Sequence, residues 1–247
     1  MGKIVAIGGG EIGRLDYPVE TTEIDRQIIN LTGKSSPKVL LLPTASSDSD
    51  LYLETFQKYF GERLGCKTDA LCLVKEKPST QEIEEKIFGS DAVYVGGGNT
   101  AKMIRIWRKL GVDEVLRKAH EKGIVLSGLS AGAICWFRYS NSDSRKFKNP
   151  AACLIRLQGL GLINAAACPH YDVEEDRKPK LKEIMKRTPG VAIALDNCSA
   201  LEVVDDSYRI LSSRDGACAY KVYWSRGKFY EEVIPIETTY RPLAELL

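Results

Sequence analysis

Histidine is nearly missing from this chain: the 247 residues include only two, His120 and His170. Chemistry that needs an imidazole base must choose between them. Long apolar runs are missing too. No window approaches the roughly 18 consecutive apolar residues of a membrane helix, so no transmembrane segment is expected. Nor is there an excess of one charge, because 35 Lys plus Arg stand against 33 Asp plus Glu. That balance argues against nucleic acid or a membrane surface as a partner. The seven cysteines (66, 72, 135, 153, 168, 198 and 218) are odd in number and contain no CxxC pair. They read as buried thiols in a reducing compartment rather than as a disulfide framework or metal site. The amino terminus enters a strand directly, without a signal peptide's charged and apolar regions. Ala6 stands where a myristoylation motif beginning at Gly2 needs serine or threonine. A cytoplasmic protein is expected.

What is present is an ordinary globular composition, 44% hydrophobic and 28% charged, patterned as one domain over residues 1–247. Strands are expected at Lys3–Ile7, Lys38–Leu42, Ala70–Val74, Asp91–Val95 and Ile124–Leu126. Between them lie helical patterns at Thr22–Leu31 (capped by Thr21 or Thr22), Asp50–Phe60, Ser79–Ile87, Asn99 or Thr100 to Leu110, and Val112–Lys122. Strands without polar alternation are buried on both faces, which means a mostly parallel, doubly wound α/β sheet. After His170 comes one more helix, Glu174–Lys186. Runs at hairpin spacing then follow (Val191–Leu195, Ala200–Val204, Tyr208–Leu211, Cys218–Trp224) and read as antiparallel strands completing the same domain.

Gly128-Leu129-Ser130-Ala131-Gly132 fits G-x-S-x-G between a buried strand and a helical stretch. A serine on such a tight turn needs small neighbours, and its hydroxyl is held clear of the sheet's carboxyl edge, where open α/β sheets bind ligands. The helix start beneath it offers N–H groups to an oxyanion. Serine needs a base. His120, among charges near a helix end, reads as a surface histidine. His170, after the run Leu162–Cys168 and Pro169, reads as the base. Gly96-Gly97-Gly98 leaves a bare backbone at a strand exit, able to supply a further oxyanion N–H. Gly8 to Gly13 spells G-x-G-x-x-G after a strand, but Arg14 to Pro18 does not continue as a clean helix, so a dinucleotide site is the weaker alternative.

Together these blocks resemble peptidase family S51, the family of peptidase E and cyanophycinase. The resemblance runs through Gly8-Gly9-Gly10, Leu42-Pro43-Thr44-Ala45, Tyr94 to Thr100, Gly128 to Ala133, Gly159 to Ile163, Pro169-His170 and Ala200-Leu201. It implies a glutamine-amidotransferase-like, flavodoxin-like α/β sheet and a serine peptidase using no metal and no cofactor. It assigns Ser130 as nucleophile, His170 as base, Gly98 (or Gly97) and Ala131 N–H groups as the oxyanion hole, and Gly97 and Asn99 as substrate contacts. The third member departs from the family pattern: Asn197 stands where relatives carry an acidic residue. Asp196 beside it is the first expectation for the acid and Asp143 the second; a Ser-His-Asn arrangement through Asn197 is the remaining option. The resemblance also implies small, aspartyl peptides as substrates. A basic residue would then have to meet the carboxylate, with Arg138, Arg145, Lys146 and Arg177 as candidates. An acyltransferase or amidase on the same sheet, or a binding protein that has lost its acid, are the alternatives. Oligomeric state is not legible.

Overall fold

The computed structural model describes residues 2–14 and 17–247. Met1, Leu15 and Asp16, on which parts of the amino-terminal and Arg14–Pro18 expectations fall, lie outside the described residues. Five strands, β1 (Lys3–Ile7), β2 (Lys38–Leu42), β3 (Lys67–Ala70), β4 (Ala92–Val95) and β5 (Val125–Leu129), pair in parallel in the spatial order β1-β5-β4-β2-β3. Around them lie α1 (Thr22–Leu31), α2 (Asp50–Phe56, continuing as a π-helical segment over Gln57–Arg63), α3 (Thr80–Phe88), α4 (Thr100–Leu110) and α5 (Val112–Glu121).

The local chemistry explains most of these boundaries. Ser79 and Glu82 form a reciprocal capping box at the start of α3. The Asn99 side chain accepts the Lys102 N–H at 3.0 Å and starts α4. Two expectations need correction. The third strand begins and ends earlier than the apolar run Ala70–Val74 suggested. It is the edge strand, where Lys67, Thr68 and Asp69 are tolerated, and the Asp48 carboxylate accepts the Val74 and Lys75 N–H groups of the chain that follows. Thr21 precedes α1 but caps no backbone group, because its hydroxyl donates to Asp25 Oδ2 at 2.6 Å.

A larger correction concerns the second half. The remaining elements are α6 (Ala131–Ile134), β6 (Phe137–Ser142), β7 (Ile155–Gln158), β8 (Ile163–Cys168), α7 (Arg177–Met185), β9 (Ala192–Leu195), β10 (Ser199–Val204), β11 (Ser207–Ser212), β12 (Ala219–Ser225), β13 (Lys228–Ile234), β14 (Arg241–Pro242) and α8 (Leu243–Leu246). Only β10, β11 and β14 extend the first sheet, antiparallel, beyond β1. The others build a second, mixed sheet in the order β13-β12-β9-β8-β6-β7, with β6, β8 and β9 mutually parallel. The chain therefore changes sheets in three residues, Asp196 to Cys198. Hairpin-like spacing cannot reveal this, since a strand's length and polarity do not name its partner.

Packing fixes the two sheets against each other. Ile4, Leu40 and Leu126 of the first share one buried cluster with Ile193, Leu195 and Ala167 of the second, and α3, α4 and α5 pack into the same cluster. The opposite face of the first sheet (Val5, Ile7) is covered by Ile24 and Ile28 of α1 and by Phe56 and Phe60. Leu181 and Met185 of α7 cover the far side of the second sheet at Cys168 and Ala194. No helix among the described residues is long and apolar enough to cross a membrane.

Asp25 gives this core a pH dependence. It is fully buried, and burial pushes its carboxyl from the ordinary range up to about 7, while the Thr21 and Tyr59 hydroxyls pull the other way. The folded state therefore favours the protonated acid. Its stabilisation is complete below the ordinary aspartate range and is lost as pH rises towards 7. At 1.36 kcal/mol per unit, wild type should lose on the order of 4 kcal/mol relative to Asp25→Asn between pH 4 and 7. Urea unfolding of both proteins across that range measures the difference; parallel curves would contradict it.

Candidate active site

Ser130 occupies the turn between β5 and α6 with φ 56° and ψ −108°, a left-handed backbone that a non-glycine residue rarely adopts. The flanking glycines are sterically required. A Cβ on Gly128 would strike the backbone oxygens of Val95 and Gly132, and one on Gly132 would overlap the Val95 carbonyl. β4 thus presses directly on the turn and holds the serine outward. The turn's helix is only four residues long, so it offers a short tier of N–H groups rather than a strong dipole.

His170 leaves the end of β8 through Pro169, also in the left-handed region at φ 53°. It comes from the second sheet, whereas Ser130 comes from the first. Its backbone N–H donates to the Gly8 carbonyl at 3.2 Å, anchoring the base on the exit of β1. The ring bridges two side chains: Nε2 lies 2.8 Å from Ser130 Oγ and Nδ1 lies 2.7 Å from Asn197 Oδ1. Because an amide oxygen only accepts, Nδ1 carries the proton and donates to Asn197, and Nε2 presents its lone pair to the serine hydroxyl.

The first glycine triplet makes this possible. A Cβ on Gly9 would overlap Asn197 Oδ1 and His170 Nδ1. The Gly9 carbonyl accepts the Cys198 N–H at 2.9 Å. The space directly over the Gly9 backbone is filled by the imidazole and the amide. The chain then forms an Ile12–Val19 bridge instead of a helix, so the G-x-G-x-x-G string is not a dinucleotide fingerprint.

The expected acids lie elsewhere. Asp196, the last residue before the crossover, turns away from the imidazole. Its Oδ2 accepts the Cys218 N–H at 2.9 Å, and burial pushes its carboxyl upward from the ordinary range. The chain turns at Asn197 and Cys198, with Cys198 at φ 65°, and it is Asn197 that faces His170. Asp143 lies 3.6 Å from Arg177 Nη2, in the loop after β6. Asp172, which sequence reasoning passed over, braces the arrangement: its Oδ1 accepts the Asn197 N–H at 2.8 Å and its Oδ2 pairs with Arg214 at 2.8 Å. Its position two residues after His170 was the only available signal.

Gly98, at φ 135°, packs so tightly on Ala45 that any Cβ would strike that residue's carbonyl. Gly97 faces the Ser130 side chain, with a hypothetical Cβ 3.7 Å from Ser130 Cβ. Among the described residues no backbone acceptor takes the N–H of Gly98 or Ala131. The Asn99 side chain, expected to touch substrate, caps α4 and donates to the Ser144 carbonyl at 3.2 Å. His120 is half-buried, rests against Gly2 far from this edge, and is held below the usual imidazole range by burial. Cys66, Cys72, Cys135, Cys168 and Cys198 are buried. Among the described residues no group of three or more His, Cys, Asp or Glu side chains is placed to hold a metal ion.

A serine on a strained strand-to-helix turn, hydrogen-bonded to an imidazole that a third polar group orients, is the constellation of a serine-type hydrolase. The comparisons narrow that class. Residues 4–211 match the model of peptidase family S51. An uncharacterized peptidase, YgaJ, of Bacillus subtilis is 34% identical over 96% of this chain and 99% of its own. Peptidase E of a Nostoc strain is 26% identical over 76% of this chain and 78% of its own. Two solved structures share the fold. A peptidase from an acI-B1 actinobacterium covers 98% of this chain and 96% of its own (TM-score 0.73, 18% identity). A putative peptidase E protein from Listeria monocytogenes covers 86% and 98% (TM-score 0.63, 19% identity). The chain belongs to peptidase family S51 and is a serine-type peptidase.

Proposed function

We propose that the protein is an exopeptidase, a dipeptidase in the narrower form, that cleaves short peptides through an acyl-enzyme on Ser130. The observation that carries this is the continuous chain Ser130 Oγ–His170 Nε2 and His170 Nδ1–Asn197 Oδ1, at 2.8 and 2.7 Å. Ser130 attacks the scissile carbonyl while His170 takes its proton and then passes it to the leaving amine. The N–H groups of Gly98 and Ala131 receive the developing oxyanion, and water activated by His170 releases the acyl group. Asn197 holds the ring in the correct tautomer. Unlike a carboxylate, it adds no charge to stabilise the imidazolium formed in the transition state. This is a cofactor-free cycle suited to a cytoplasmic enzyme.

A fluorophosphonate probe should label the wild-type protein at Ser130, and short unblocked peptides should be hydrolysed; a folded protein that does neither would refute the proposal. The amide at position 197 predicts a gain. Asn197→Asp should raise kcat by about 10-fold or more, because a carboxylate at Nδ1 stabilises the imidazolium. It also raises the pKa of the imidazole, so the acidic limb of the pH–rate profile should move to higher pH. A variant with lower kcat and an unmoved limb would show that position 197 does not orient the base.

A further inference from the structure

The cavity that opens on Ser130 has a volume of about 470 Å3, within the range of small-ligand sites. Three charged side chains line it: Glu11, Arg14 and Glu20. Arg14 is committed, since its guanidinium grips the Glu11 carboxylate through both Nε and Nη2. Glu20 is not. Its Oε2 accepts the Glu11 N–H at 3.0 Å. Among the described residues no cation lies within ion-pair reach of it and Oε1 has no partner. Two carboxylates therefore stand against one guanidinium on the lining of the cavity that holds Ser130.

The rim is apolar. Leu51 and Phe147 line the same cavity and are 40% and 57% exposed. Large apolar side chains left in water at the mouth of a site are a surface for an apolar group of a ligand. The four basic residues that an aspartyl specificity would call on are not on this lining. Arg177 is 1% exposed and committed to Glu174 and to the Asn141 carbonyl, at 2.8 Å each. Lys146 pairs with Asp176. Arg138 donates to Asn164.

We propose that this cavity selects short peptides with a free α-ammonium group and an apolar side chain, that Glu20 holds the ammonium, and that aspartyl peptides are disfavoured. The proposal rests on the peptidase reading of the Ser130 site. An ammonium group matches the open Glu20 oxygen through a charge-assisted hydrogen bond, while the side chain lies along Leu51 and Phe147. An aspartyl side chain would bring a further carboxylate towards Glu20 and Glu11, and would have to share the single Arg14 guanidinium with Glu11.

The test compares three peptides: Phe-Leu, N-acetyl-Phe-Leu and Asp-Leu. Hydrolysis by the wild type is measured alongside calorimetric binding to the Ser130→Ala protein. Phe-Leu should exceed Asp-Leu in kcat/KM by about 10- to 100-fold, and acetylation should cost about 10-fold or more. Glu20→Gln should bring the ratio of free to acetylated peptide towards one. Phe147→Ala, a change at an exposed position that leaves folding intact, should lower kcat/KM for Phe-Leu more than for Asp-Leu. Preference for Asp-Leu, or indifference to acetylation, would overturn the proposal while leaving the peptidase intact. Binding in the expected order without hydrolysis of any peptide would overturn the peptidase reading and support the selectivity.

Discussion

Replacing Ser130 with alanine is expected to lower kcat/KM on a short unblocked peptide by about 10⁴- to 10⁶-fold without unfolding the protein. The covalent route disappears, and what survives is the oxyanion pair and binding alone. The fold should tolerate the change because the strain at φ 56° is a property of the turn, and alanine bears it no worse than serine. The backbone ties of the turn, Ser130 N–H to Ile7 and Ala133 N–H to Ser130, do not use the side chain. Thermal unfolding and peptide hydrolysis on the same preparation check both halves. Near-normal hydrolysis by a folded Ser130→Ala protein would remove Ser130 from the chemistry.

His170→Gln should be almost as damaging, on the order of 10³- to 10⁵-fold in kcat, and the pair should not be additive. Residues that act in one proton transfer lose their function together, so Ser130→Ala/His170→Gln should be barely worse than either alone. Glutamine can reach some of the same partners but cannot hold a proton at neutral pH, which separates base chemistry from loop support. His120→Gln serves as the control and should leave kcat near wild type, since that ring rests against Gly2, at the opposite end of the parallel strands from Ser130. Multiplying losses in the double variant would mean that the two residues belong to different steps.

The outcomes differ because the elements differ in what holds them. Runs such as Val39–Leu42 and Ala92–Val95 are apolar throughout, and burial on both faces is the way to satisfy that composition. The parallel sheet was legible for this reason. The elbow was legible because the Gly128 and Gly132 contacts admit no side chain, so the residue types themselves carry the geometry. The strand at Lys67–Ala70 was misplaced because an edge strand needs no apolar pattern, and the run beside it is buried for another reason.

The sequence by itself determined the parallel sheet, the turn that lifts Ser130 and the choice between only two imidazoles, His120 and His170. The sheet follows from strands that are apolar on both faces, the turn from local sterics and the imidazoles from simple count. Which group faces His170 was decided only by the tertiary structure. Asp196 and Asn197 are neighbours, and chemistry alone favoured the carboxylate. The chain crosses from the second sheet to the first at these residues, Cys198 adopts a left-handed backbone, and the Gly9 carbonyl pins its N–H. That crossover turns Asp196 towards Cys218 and Asn197 towards the imidazole. A one-residue difference reverses the direction of a side chain, and only long-range packing between two sheets sets the register.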